Sequence, residues 1–236
     1  DLEHRVRVRG TVSYQDPAGL TVYFQNGQDG AIANLAKPFH FPPGAEIELS
    51  GFVSPRQYTL TFDDAVARQV GRSAEPAPVR VRASGVIQRK MDFAFVPTAG
   101  TLIQVEGSLL QRVPHASHED WLLGDEKRVF PVHFEGAVSA SLAAVLPGSR
   151  LRVTGVCEVS PDPSGEPSTF SLRLRSTRDL TVLRAPAWGS RSSLLAVALA
   201  VSFLVLVWTW RLKQVYRRAG AVGSEGEIFG GRPVAS

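Results

Sequence analysis

Apolar and polar side chains alternate with a period of two through most of this chain, and that pattern predicts β-strands. In the N-terminal third the alternating runs are Arg5–Tyr14, Leu20–Gln25, Ala31–Leu35, Glu46–Val53 and Tyr58–Phe62, the last followed by Ala65–Val70. Asp16-Pro17-Ala18-Gly19 breaks the first run. Asn26-Gly27-Gln28-Asp29-Gly30 joins the second to the third with residues that favour a hairpin. A second series follows at Leu102–Gln111, Asp120–Leu123, Arg128–Glu135, Arg150–Val159 and Thr169–Leu183. Residues 138–146 (VSASLAAVL) read as a short alanine-rich helix closed by Pro147-Gly148. Val79–Ile87 reads as one more alternating strand between the two series.

The two series resemble each other. Residues 43–53 (PGAEIELSGFV) and 147–157 (PGSRLRVTGVC) share a Pro-Gly turn, an alternating strand and a glycine ending. Upstream, residues 6–12 (VRVRGTV) match 103–109 (IQVEGSL); downstream, Tyr58 onward matches Phe170 onward. Three landmarks in one order predict a tandem duplication of an all-β unit. Three strands, a helix or loop, then two strands is the order of an OB-type barrel. The expected layout is a first OB-like five-stranded barrel at 1–75, a linker or edge strand at 76–100, and a second OB-like barrel at 101–186.

One stretch breaks the alternation. Leu194–Trp210 is an uncharged apolar run of 17 residues, long enough as a helix to reach roughly 26 Å, and Ser192 and Ser193 extend it. Trp208 and Trp210 suit the headgroup layer, and Arg211, Lys213, Arg217 and Arg218 follow directly. The expectation is a transmembrane helix at 192–211 and a short basic cytoplasmic tail at 212–236. The basic excess places the preceding region outside the cytoplasm.

Charge changes the picture once it is divided. The chain of 236 residues carries a net charge of +4, but residues 1–190 hold 20 basic and 20 acidic groups. The excess therefore lies around the apolar run, and a neutral ectodomain argues against nucleic acid as a partner. Arginines in alternating pairs (Arg7/Arg9, Arg80/Arg82, Arg150/Arg152, Arg173/Arg175) fit solvated strand faces. Cys157 is the only cysteine, so no intrachain disulfide forms, and its alternating context predicts a buried thiol. The chain opens at Asp1, so an exported ectodomain implies a targeting segment removed from in front of it.

The chemistry on offer is sparse. In His115-Ala-Ser-His118-Glu-Asp120 two imidazoles precede carboxylates, which makes His115 and His118 weak metal candidates. The spacing is not that of a helical zinc motif, and a solvated hairpin loop accounts for it better. His4, His40 and His133 stand alone, and Asp63-Asp64 fits a capped turn as well as a cation site. No phosphate loop, nucleophile elbow or paired Cys-x-x-Cys occurs, so no catalytic residue, metal or cofactor is expected. Tyr14, Tyr23 and Tyr58, with Phe24, could form a binding face on the first barrel for a sugar or small molecule.

These stretches resemble the extracytoplasmic sensor region of membrane-bound histidine kinases, often PAS-containing, from acidobacteria and similar bacteria. The resemblance rests on residues 6–17 (VRVRGTVSYQDP), 148–157 (GSRLRVTGVC), 170–176 (FSLRLRS), the Pro-Ala-Trp188 stretch, and the anchor with its basic helix to Arg218. It implies a periplasmic sensory region, anchored by one inner-membrane helix, that belongs to a two-component system. Its ligand would be a small molecule, glycan or protein, and a homodimer is a possible state. The sequence departs from the family after Arg218, where residues 219–231 are glycine-rich and no phosphoacceptor helix or ATP-binding glycine box follows. The residues present are therefore expected to lack the kinase domains and to have no enzymatic activity. The alternative is a tail-anchored OB-fold binding or scaffold protein with its barrels in the cytoplasm.

Overall fold

The computed structural model describes residues 4–56, 58–90, 93–115, 118–135, 140–186, 199 and 201–211. The chain divides into two units, Asp1–Pro186 and Ala187–Ser236.

In the first unit β1 (Arg5–Gln15), β2 (Thr21–Asn26), β3 (Asp29–Leu35), β4 (Ala45–Arg56) and β5 (Thr59–Arg72) close into a barrel in the order β1-β2-β3-β5-β4. That is the OB-type order, with β3 and β5 parallel. Alternation puts Val12, Val22, Phe24, Ala33, Ile47, Leu49 and Phe62 inside. The turns follow their residues: Asp16 Oδ1 accepts the amides of Leu20 and Thr21, both at 2.8 Å, and Gly27 takes a positive φ of 63°. β5 is one strand rather than two. It passes Asp63-Asp64 through a bulge in which Asp64 has φ 48° and Arg5 holds its carboxylate.

The second series forms a seven-stranded sheet of β6 (Val79–Arg80), β9 (Leu102–Pro114), β10 (His118–Gly124), β11 (Val129–Glu135), β12 (Arg150–Pro161), β13 (Pro167–Arg173) and β14 (Leu180–Arg184). Its order is β14-β12-β13-β11-β10-β9-β6, and β12 also pairs with β9 over seven positions. β7 (Gln88–Lys90) and β8 (Phe93–Phe95) form a separate hairpin.

Register carries the internal likeness into three dimensions. Val6 pairs with Gly51 and Gly10 with Ile47 in the first series; Ile103 pairs with Gly155 and Gly107 with Leu151 in the second. The third landmark is two residues out of step. Val53 pairs with Phe62 and Cys157 with Leu172, so Phe62 corresponds to Leu172 and Tyr58 to Ser168. A shift of two keeps every side chain on its own face, which is why alternation alone does not detect it.

Two further expectations change. The run Thr169–Leu183 is broken by a 3-10 turn at Thr177–Asp179, capped by Ser176 and fixed by Arg175 on Asp179, so β13 and β14 pair with different stretches of β12. Residues 76–100 are more than a linker: of the expected strand Val79–Ile87 only Val79–Arg80 is strand, a helical turn α1 (Ala83–Val86) follows, and the β7–β8 hairpin comes after it. Ala83, Val86, Ile87, Val96 and Ala99 belong to the core that contains Trp121, Phe130 and Phe170. Ala140–Ala143 is helical, shorter than the expected 138–146, of which residues 138 and 139 lie outside the described residues.

In the second unit residues 201–211 are helical. Its large apolar side chains are exposed all round, from Val207 at 39% to Trp208 at 68%. Among the described residues no helix is long and apolar enough to cross a membrane. Most of the expected span before Leu199, and the basic residues Lys213, Arg217 and Arg218, lie outside the described residues.

Candidate functional site

The three tyrosines expected on a ligand face lie in the seam between the two β-series. β1 and β2 present Tyr14 and Tyr23 as a cross-strand pair, rings at 5.5 Å edge to face, which pack with Leu102 and Val156. The Tyr23 hydroxyl donates to Glu158, and the half-buried Tyr58 donates to the carbonyl of Gly165. Burial, then the Glu158 carboxylate, raise the Tyr23 phenol above its ordinary range. Gln25 Oε1 accepts the Leu102 amide at 2.9 Å, and Arg175 reaches Glu75 at 2.8 Å. Gly30 and Gly100 meet backbone to backbone, with no room for a Cβ on Gly30. The aromatics that looked like a binding surface hold the unit together, and Phe24 lies in the first core.

The arginine pairs divide into two groups. Arg9 and Arg68 both hold Glu48, at 3.1 and 2.6 Å, while Arg173 holds Glu135 and Glu158. Arg80, Arg82, Arg150 and Arg152 instead converge with Lys127 on a groove of about 570 Å³, shared with Glu106, Asp125 and Glu126. The hydrogen bond from Arg152 holds the Glu106 carboxyl below its usual range, and Arg150 adds to this. Two arginine pairs far apart in sequence thus form one polar, positively biased pocket.

The His115–Asp120 stretch becomes a cluster around one carboxylate. The β9–β10 hairpin closes with the His115 amide on the His118 carbonyl at 2.9 Å, and the two rings stack at 4.3 Å. Asp120 lies two residues on from His118, on the same face. The β10–β11 ladder sets His133 directly opposite Asp120, with Nδ1 2.7 Å from Oδ1. His115 Nε2 is 3.2 Å and His118 Nε2 3.9 Å from Asp120 Oδ2. Partial burial opposes ionisation of Asp120, but the His133 hydrogen bond and the three imidazoles outweigh it, so its carboxyl sits below the usual range. His118, Asp120 and His133 line a cavity of about 590 Å³ with Pro17, Glu135 and Arg173.

Sequence spacing did not single out His133. The hairpin register could have: if 124 and 129 close the β10–β11 ladder, 120 must face 133. The remaining candidates are accounted for by packing. Cys157 is fully buried, and burial pushes its thiol up to about 12, which makes it a core residue rather than a nucleophile. Asp64 is paired with Arg5, and Asp63 accepts the Asn34 amide at 2.7 Å.

No family model and no curated protein matches this chain. Among solved structures, a murine DNA-binding protein bound with double-stranded DNA is 14% identical over 76% of this chain and 96% of its own, with a TM-score of 0.38. The p204 HINb domain is 15% identical over 78% of this chain and 100% of its own, at 0.35. An OBody bound to hen egg-white lysozyme is 12% identical over 47% and 99%, at 0.34. The expectation against nucleic acid, drawn from neutral charge, is withdrawn: the solved structures similar to this chain include ones bound to double-stranded DNA.

Proposed function

We propose that this chain is the binding and anchoring region of a membrane-attached, sensor-kinase-like signalling protein, with two duplicated OB-like barrels outside the cytoplasm and one membrane helix after them. The observation that carries this reading is the apolar segment ending at Trp210. Its described part is a helix with no polar face, and a helix that is apolar on every side belongs inside a protein or a bilayer. The cluster Arg211, Lys213, Arg217 and Arg218 favours a cytoplasmic C-terminal side. The Arg80–Arg152 groove supports a binding role, because several cations around a polar pocket suit an anionic small molecule.

Protease treatment of intact spheroplasts tests the topology. Residues 1–186 should be digested from outside while the C-terminal tail stays protected. Protection of the barrels in intact cells, with digestion only after lysis, would overturn the reading.

A further inference from the structure

We propose that His115, His118 and Asp120 bind a divalent first-row transition ion of the zinc class, with His133 holding the Asp120 carboxylate in place. The ligand set is the one such ions take: two imidazoles and one carboxylate, their donor atoms all within 4.8 Å of one another. A four-coordinate ion with bonds of about 2.0–2.1 Å sets its donor atoms about 3.3 Å apart. The His115–Asp120 separation of 3.2 Å already meets this, and the His118–Asp120 separation of 3.9 Å is about half an ångström long.

Topology makes the arrangement more than a chance meeting of side chains. Three adjacent strands put His115, His118, Asp120 and His133 on one sheet face, at a hairpin end where no backbone movement is needed to bring them together. His133 occupies the outer oxygen of Asp120 at 2.7 Å, the supporting contact that orients a ligating carboxylate. The three ligands leave one coordination position for water or a ligand atom, and two of them, His118 and Asp120, also line the cavity that Pro17 and Glu135 bound. The first β-series supplies an internal contrast. By register, Thr21 and Asn34 stand where the second series has Asp120 and His133, so the first series lacks this ligand set.

The test uses the full chain in detergent, purified without a histidine tag, stripped with EDTA and titrated calorimetrically with zinc chloride. Wild type should bind one ion per chain, and the His115→Ala/His118→Ala double variant should lose that binding. His133→Ala should keep the stoichiometry and weaken affinity about 10–100-fold. Far-UV circular dichroism of each apo variant should match wild type, since both ligand histidines sit on an open hairpin end with side chains 41% and 40% exposed. Cobalt(II) added to wild type alone gives a readout that depends on no variant. Strong visible bands of a four-coordinate ion are expected, and the weak bands of a hydrated six-coordinate ion would overturn the site. Equal zinc binding by wild type and the double variant would also overturn it, and leaves the membrane topology untouched.

Discussion

At the scale of single residues, most of what is unusual about this chain is the company its charges keep. Glu48 is 93% removed from solvent by area, yet two guanidiniums flank it. The hydrogen bond from Arg68, then that from Arg9, hold its carboxyl below the ordinary glutamate range. A lowered folded-state value means the stabilisation is complete above the unfolded value and is lost as pH falls through the folded one. Urea denaturation of wild type and Glu48→Gln should therefore show a gap at neutral pH that narrows below about pH 4.3. A gap independent of pH would overturn the assignment. The sequence disclosed the buried thiol of Cys157 and the pair His115 and His118, because each is a local pattern. It concealed His133, whose partner is set by a cross-strand register. It also left open where Tyr14 and Tyr23 go: alternation says that a side chain leaves the barrel, not whether solvent or a second sheet receives it.

At the scale of elements, four glycines account for the matching strand patterns. A Cβ on Gly51 would stand 3.1 Å from the Asp63 carbonyl, and one on Gly155 would stand 2.9 Å from the Arg173 carbonyl. On Gly10 it would meet the Phe24 ring at 2.6 Å, and on Gly107 the Phe130 ring at 3.2 Å. In each pair the strand crosses its neighbour closely enough that an added side chain would have to displace it, which is how a short strand bends around its neighbours. Gly155→Ala should destabilise by about 1–3 kcal/mol, because backbone rather than a flexible side chain must move. Gly85→Ala, with nothing within 4 Å and no positive φ, should shift stability by less than about 0.5 kcal/mol. Thermal midpoints of the two variants provide the comparison. These glycines made the likeness of the two series legible. The break between β13 and β14 was not, since the Arg175–Asp179 pair that stops the strand is invisible to a period of two.

At the scale of the whole molecule, the seam joins the two β-series within one compact unit, Asp1–Pro186. Calorimetry should give a single transition for the two wild-type series. Gly30→Val, which forces a side chain into the Gly100 backbone, should split that transition in two while each β-series keeps its own core. One undivided transition in the variant would show that the seam contributes little. The same seam also bounds assembly. It is a head-to-tail contact, in which the Tyr14–Tyr23 pair of the first series receives the Leu102–Val156 pair of the second. A contact of that kind, repeated without closing, builds filaments. The outer end of the second series carries Gln111 opposite Leu122 in place of the tyrosines, and the outer end of the first carries Arg5 opposite Phe52, with the guanidinium 4.8 Å over the ring. Neither of these outer ends presents the tyrosine pair or the apolar pair that makes the seam, so the seam as built cannot be repeated by a second copy of this chain stacked on either one.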